Sequence, residues 1–171
     1  GIDVTIDNMV EYLNDIAGIR IICSFMSDIY PIADMIARQA DITVLHVKDY
    51  IKYPKSNGYK SYHMVVTIPV YLTDGKMHTK VEIQIRTIAM DFWASLEHKI
   101  AYKFEGNPPD YLETELKACA DMVDMLDMKM FSLNQAIMAV EEEERRREGE
   151  KRREREKAER KQEELAGNGP T

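Results

Sequence analysis

Apolar and polar positions along this chain change period several times, and each change marks an element. Ile6, Met9, Val10 and Leu13 are spaced for one face of a short helix over 6–14. Gly18 interrupts that pattern, and the run from Ile19 to Phe25 reads as a buried strand. Helical spacing returns over 28–40, where Ile29, Ile32, Ala33 and Ile36 share a side. Pro31 then falls in the first turn, where its missing N–H costs little. Residues 42–51 read as a second strand, and 52–60 as a loop rich in Lys, Tyr, Pro, Asn and Gly. Tyr62 to Leu72 is a third strand. Thr73-Asp74-Gly75-Lys76 suits a hairpin turn, because Asp-Gly accepts positive φ values. The fourth strand, Thr79 to Thr87, is expected to run antiparallel to the third. Its alternation puts Val81, Ile83 and Ile85 on one face and Glu82, Gln84 and Arg86 on the other. That polar face is either solvated or lines a cleft.

Residues 88–104 predict an amphipathic helix carrying Ile88, Phe92, Leu96, Ile100 and Phe104, ended by Asn107-Pro108-Pro109. From Asp110 a long helix begins. Leu112, Leu116, Cys119, Val123, Leu126, Met130, Leu133, Ile137 and Val140 alternate spacings of four and three, the seam of a helix packed on another helix. From Glu141 to Leu165 there are eleven acidic and ten basic residues, with many opposite charges three or four apart. Such a run is expected to be a solvated or frayed helical tail. The chain therefore divides into a domain over 1–107, a helix over 108–140 and a charged tail over 141–171.

Composition narrows the function. The 171 residues suffice for one domain with a real core plus an appendage. No apolar run is long enough to span a bilayer, and the opening residues are polar and acidic, unlike a signal peptide. Cys23 and Cys119 form no CxxC pair and are expected to be small buried hydrophobes in a reducing cytosol. A cytoplasmic protein without membrane contact is the expectation. The net charge of −7 argues against bulk binding to nucleic acid or anionic lipid. Lys48, Lys52, Lys55 and Lys60 nevertheless cluster in sequence, where a nucleotide phosphate could be held.

Familiar phosphate and hydrolase signatures are absent. There is no GxxxxGK[ST] loop, no GxGxxG and no GxSxG. His46, His63, His78 and His98 lack zinc spacing, and none precedes an Asp. Phosphate chemistry would have to come from scattered carboxylates and cations.

Three segments could supply them. In Asp15-Ile-Ala-Gly-Ile-Arg20, Asp15 could bind Mg²⁺ or be an ordinary turn aspartate, and Arg20 could meet a base or phosphate or form a surface ion pair. In the stretch from Lys55 to His63, Lys-Ser-Asn-Gly-Tyr-Lys-Ser-Tyr-His, Gly58 permits close backbone approach, Tyr59 could stack on a base, and Lys55 and His63 could hold phosphates; a plain surface loop is the alternative. In Glu82-Ile-Gln-Ile-Arg-Thr87, Glu82 could be a general base or an exposed glutamate. Each signal is weak alone, and their ordered conjunction is stronger.

These three segments, followed by Met-Asp-Phe-Trp-Ala-Ser-Leu-Glu-His-Lys from Met90, resemble the synthetase domain of the RelA/SpoT family, and the short length and helical C-terminus resemble its small alarmone synthetases. The likeness covers about residues 6–140. It implies an α+β fold, a nucleotidyltransferase-like mixed β-sheet flanked by helices, with a long C-terminal helix. It implies Mg²⁺-dependent transfer of pyrophosphate from ATP to the 3′-hydroxyl of GDP or GTP, giving ppGpp or pppGpp and AMP. By position, Asp15 would hold the metal. Glu82 would be the general base and share it. Tyr59 would stack on guanine, and Arg20 on adenine. Lys55, Asn57 and His63 would hold the acceptor nucleotide, with Ser61 in the same nucleotide-binding set. Gln84 and Arg86 would line the cleft. A homotetramer is the family's usual assembly.

One departure stands out. The family carries a basic segment ahead of the Asp-Ile-Ala-Gly motif that contributes to the ATP site, whereas here fourteen residues precede Asp15 and none is Lys or Arg. The expectation is a truncated sequence that binds guanine nucleotide and transfers poorly. The alternative is a non-catalytic guanine-nucleotide or single-stranded RNA binding module, using lysines interleaved with Tyr50, Tyr53, Tyr59 and Tyr62.

Overall fold

The computed structural model describes residues 17–102 and 109–167. The expected helix over 6–14, Asp15, Phe104 and the Asn107-Pro108 stop lie outside the described residues. Seven elements follow in chain order: β1 (Ala17–Cys23), α1 (Met26–Ala37), β2 (Thr43–Asp49), β3 (Tyr62–Leu72), β4 (Gly75–Thr87), α2 (Ile88–Tyr102) and α3 (Asp110–Gly167). A first compact unit extends to Met128 and a second begins at Lys129.

The four strands form one mixed sheet in the order β1-β4-β3-β2. β1 pairs parallel to β4, while β4 with β3 and β3 with β2 are antiparallel. The hairpin is tighter and longer than the turn signal suggested. Leu72 pairs with Gly75, so two residues connect the strands, and Gly75 takes φ +135°. β4 therefore starts four residues before the expected Thr79.

Alternation delivers the two faces. Val81, Ile83 and Ile85 of β4 join Met64 and Val66 of β3 and Cys23 of β1 in the core, closed by Ile29 and Ala33 of α1. Burying a side chain of this size contributes about 1.5–3 kcal/mol relative to leaving it exposed. β1 is not the buried strand its composition suggested. It is an edge strand, and Ile19 and Ile22 remain exposed.

Helix α1 starts at Met26 because the Asp28 carboxylate accepts the Phe25 backbone N–H at 3.1 Å. That earlier start moves Pro31 out of the first turn and into the second. Helix α2 is capped by Thr87, whose Oγ1 accepts the Met90 N–H at 3.2 Å. Its expected apolar stripe is not the packed one. Ile88, Phe92, Leu96 and Ile100 are exposed, and Met90, Trp93 and Ala94 are buried instead.

Within the first unit, the start of α3 packs on α2 and the loop before β3 through a second small core. Trp93, Ala94 and Ala120 are its buried members, with Tyr59, Leu116 and Val123 against them. The indole N–H of Trp93 donates to the Leu116 carbonyl at 3.0 Å. Of the predicted seam, Leu112, Leu116 and Val123 are partly covered, whereas Cys119 and Leu126 are exposed. The packed face is rotated by about one residue, because Asp127 and Ala120 are the positions that meet polar and small partners. Cys23 is buried as expected, and both cysteines are free thiols.

The second unit is helical to Gly167. Met130, Leu133, Ile137 and Val140 are exposed along it. Ion pairs four residues apart, Glu141 with Arg145 and Glu143 with Arg147, run along the charged stretch and contribute a few tenths of a kcal/mol each, about 0.2–0.5. Among the described residues, no helix is long and apolar enough to cross a membrane.

Candidate active site

β4 lies between β1 and β3, so ladder bonds hold it on both sides. Its cleft face presents Glu82, Gln84 and Arg86. The parallel register sets Gly18 beside Glu82 and Arg20 beside Gln84, and the antiparallel register sets His63 on the other side of Gln84.

The Glu82 carboxylate is held at both oxygens. Oε1 accepts from His63 Nδ1 at 3.0 Å, and Oε2 accepts from Gln84 Nε2 at 2.9 Å. An ionised carboxylate only accepts, so the imidazole proton sits on Nδ1, and Nε2 accepts a hydrogen bond from the Tyr59 hydroxyl at 2.8 Å. Burial pushes the His63 pKa down, and the Glu82 hydrogen bond and charge only partly restore it. The ring is thus neutral at neutral pH. Partial burial pushes the Glu82 carboxyl up, but hydrogen bonds from Gln84 and His63 and the charge of Lys48 outweigh it and hold the pKa below its ordinary value.

Arg86 is buried, and four hydrogen bonds hold its guanidinium. Its Nη2 donates to the Tyr59 hydroxyl oxygen at 2.7 Å and to Gln84 Oε1 at 2.8 Å. Nη1 meets Asp91 Oδ1 at 3.2 Å and Nε donates to Ser61 Oγ at 3.2 Å. Asp91, in the first turn of α2, also pairs with Arg20 at 3.1 Å. One carboxylate therefore balances a buried and an exposed guanidinium.

The loop before β3 is folded by its own backbone. Gly58 N–H donates to the Lys55 carbonyl at 2.9 Å, Lys55 N–H to the Tyr59 carbonyl at 3.2 Å, and Tyr59 N–H to Asn57 Oδ1 at 3.1 Å. Gly58 adopts φ +87°, a value that favours glycine. The Lys55 ammonium lies 4.9 Å from the Tyr59 ring centre and 5.2 Å from that of Tyr50. The clustered lysines do not act together. Lys60 turns to Asp124 at 2.6 Å, and Lys52 lies over Tyr53.

Arg20, Lys55, Asn57, Tyr59, Gln84 and Arg86 line one open cleft of about 540 Å³. Glu82 and His63 are hydrogen-bonded to two of these lining residues, Gln84 and Tyr59. Ser61 differs from the expected nucleotide-binding set. It is completely buried, and it supports Arg86 rather than opening to the cleft. Asp15 lies outside the described residues.

Two acidic residues at the site were not singled out from sequence. Asp91 holds the arginines, and Glu97 lines the cleft and accepts from Asn57 Nδ2 at 3.3 Å. Asp91, Ser95 and His98 fall at i, i+4 and i+7 on one face of α2, a spacing that could have marked Asp91, whereas Glu97 lies off that face. Among the described residues, no three carboxylate, imidazole or thiol groups form a metal cage. Mg²⁺ is commonly held by one or two carboxylates together with substrate phosphates. Both Glu82 oxygens keep a lone pair beyond their single hydrogen bond, so this donor set fits.

The site is thus a mixed sheet presenting carboxylates, edge-to-face aromatics and arginines along an open cleft. A family model described as a region found in RelA / SpoT proteins matches residues 4–107, and the chain belongs to that family. It is 49% identical over 137 residues to the GTP pyrophosphokinase YwaC of Bacillus subtilis (strain 168), covering 80% of this chain and 65% of that protein. It is 43% identical over 121 residues to the GTP pyrophosphokinase YjbM of the same organism, covering 71% of this chain and 57% of that protein. The chain thus spans a little under two thirds of the length of these relatives. Among solved structures, small alarmone synthetase 2 from Bacillus subtilis matches with a TM-score of 0.71 and 51% identity, over 74% of this chain and 68% of that one. Small alarmone synthetase 1 from Bacillus subtilis, bound to its product pppGpp, matches with a TM-score of 0.73 and 38% identity, over 78% of this chain and 68% of that one. The expected fold class, a mixed sheet with flanking helices and a long C-terminal helix, is the one these structures share.

Proposed function

We propose that this chain carries the acceptor-nucleotide site and general base of a (p)ppGpp synthetase that transfers pyrophosphate from ATP to the 3′-hydroxyl of GDP or GTP. In this reaction the 3′-oxygen bonds to the β-phosphorus of ATP as the bridging bond to the α-phosphate breaks. AMP leaves, and Glu82 takes the hydroxyl proton. The observation that carries the reading is Glu82 itself: ionised, fixed on a rigid inner strand, and aimed by His63 and Gln84 beside a cleft lined by Tyr59, Lys55 and Arg20.

The other roles follow from position. Tyr59 offers its ring to guanine, and the exposed Lys55 ammonium now lying over that ring is freed for phosphate when a base takes its place. Asn57 and Glu97 are polar groups at the same wall. Arg20 would meet ATP. Glu82, with Asp15, would hold Mg²⁺, which when bound supplies charge neutralisation on the phosphates. A homotetramer and a cytoplasmic setting belong to the same proposal. Identity to two named GTP pyrophosphokinases favours this reading over a non-catalytic nucleotide or RNA binder.

The test is conversion of ATP and GDP or GTP with Mg²⁺, resolved by anion exchange, on this chain, on an N-terminally extended version, and on Glu82→Gln in each. Formation of AMP with the tetra- or pentaphosphate, lost about 10²–10⁴-fold in Glu82→Gln while GDP binding persists, is the expected result. Turnover that survives Glu82→Gln overturns the base assignment.

A further inference from the structure

The loop that carries Asn57 and Tyr59 is braced from outside by a helix face beyond the stretch matched by the family model. Glu113, Ala120, Asp124 and Asp127 lie at i, i+7, i+11 and i+14 of α3, which puts them on one side of the helix. Ser56 Oγ donates to Glu113 Oε1 at 2.8 Å. Gly58 lies against the backbone and Cβ of the helix: a Cβ built on it would come 2.5 Å from that of Ala120. Lys60 Nζ meets Asp124 Oδ1 at 2.6 Å. One turn on, buried Asp127 accepts from Thr87 Oγ1 at 2.6 Å, at the end of β4. Beside Gly58, Lys60, Ala120 and Asp124 there is a gap of about 20 Å³, room for about one water, while a wider opening of about 230 Å³ lies between Ser56 and Asn57 of the loop and Leu112 and Leu116 of the helix.

The Lys60–Asp124 pair is the polar centre of this contact. Its side chains are 24% and 28% exposed, unlike the solvated pairs farther along α3. A fully exposed pair contributes little, whereas a largely buried one fixes geometry because breaking it strands a charge. Lys60 does not line the 540 Å³ cleft. Its charge is spent on the helix rather than on a ligand.

We infer that Asp124 is a positioning residue for acceptor-nucleotide binding: through Lys60 it holds the Lys55–Ser61 loop so that Asn57 and Tyr59 face the cleft. This rests on reading that loop as the guanine-nucleotide site. The residues that bind and those that set their geometry thus come from separate parts of the chain.

The test uses the full chain as wild type, Asp124→Asn, Lys60→Asp and the exchanged pair Lys60→Asp with Asp124→Lys. Amide hydrogen exchange without nucleotide is read over 55–61 and over β3 and β4. The loop amides should exchange about tenfold faster in either single variant, with the strand amides unchanged and the loop restored in the exchanged pair. GDP titration of the same proteins should show a dissociation constant raised about tenfold in the singles and recovered in the pair. Loop exchange and GDP affinity that both stay at wild-type values in folded Asp124→Asn overturn the inference, as does an exchanged pair no better than the singles. If wild type takes up no GDP while loop exchange responds as expected, the proposed function falls and the bracing stands.

Discussion

His63 donates its Nδ1 proton to Glu82 at 3.0 Å and accepts the Tyr59 hydroxyl at its other nitrogen at 2.8 Å. Both ring nitrogens are therefore occupied, one by Glu82 and the other by Tyr59. In this arrangement His63 orients Glu82, and it reaches a phosphate only by giving up one of those bonds. Replacing His63 by Ala should lower the maximal transfer rate by about 10–100-fold, the usual effect of losing a group that aims a carboxylate. GDP affinity should change far less. Steady-state kinetics beside GDP titration separates the two; an affinity loss as large as the rate loss would make His63 a ligand instead.

The same pair makes stability depend on pH. The folded-state pKa of His63 lies below its ordinary value of 6.5, chiefly through burial, and that of Glu82 lies below 4.5, where hydrogen bonds from Gln84 and His63 outweigh its burial. The unfolded chain therefore takes up these protons first as the pH falls. Their contribution is fully present above 6.5 and is lost as the pH drops through the folded values. Urea unfolding above and below that point should show declining stability toward acid, with the upper part of the slope flattened in His63→Gln. An unchanged slope in that variant would mean the decline arises elsewhere.

Thr87 serves two helices at once. It accepts the Met90 N–H to start α2 and donates to buried Asp127 of α3. Thr87→Val keeps the shape, removes the cap and leaves Asp127 without that donor, so it should destabilise the fold by about 1–3 kcal/mol. Denaturant midpoints at constant slope measure it, and a loss below a few tenths would show that neither bond contributes.

Asp91 separates a buried arginine from an exposed one. Removing it strands the guanidinium of Arg86, which is 5% exposed, whereas Arg20 regains water. Asp91→Ala should cost about 2–3 kcal/mol, and Arg20→Ala less than about 1. Equal losses in the two variants would argue against that asymmetry.

Much of this was legible from periodicity. The β3 bounds, the two faces of β4 and the α3 start are visible in the apolar pattern because strand alternation leaves little choice of face once Val81, Ile83 and Ile85 are inside. The site residues of the loop and β4 were legible as motifs. Less visible was anything decided between elements. The exposure of Ile88 and Phe92 depends on which side of α2 meets Ala120 and Leu116, and no local pattern records that choice. Ser61 was grouped with Asn57, Tyr59 and His63 by sequence proximity; its complete burial and the bond it accepts from Arg86 are visible only in the folded chain. Asp91 and Glu97 gain meaning only when α2 is laid across the cleft.

The β3–β4 pairing has a consequence for how this site can diverge among related chains. His63 stands beside Gln84, and Val65 beside Glu82, through a ladder unbroken from Tyr62 to Gly75 and back to Ile85. One residue gained or lost in β4 ahead of Val81, if no bulge absorbed it, would turn Glu82, Gln84 and Arg86 inward and Val81, Ile83 and Ile85 outward together. Fold and chemistry would then fail in the same event. The turn at Thr73 and Asp74 is the place in this hairpin where a residue can be added without moving either face.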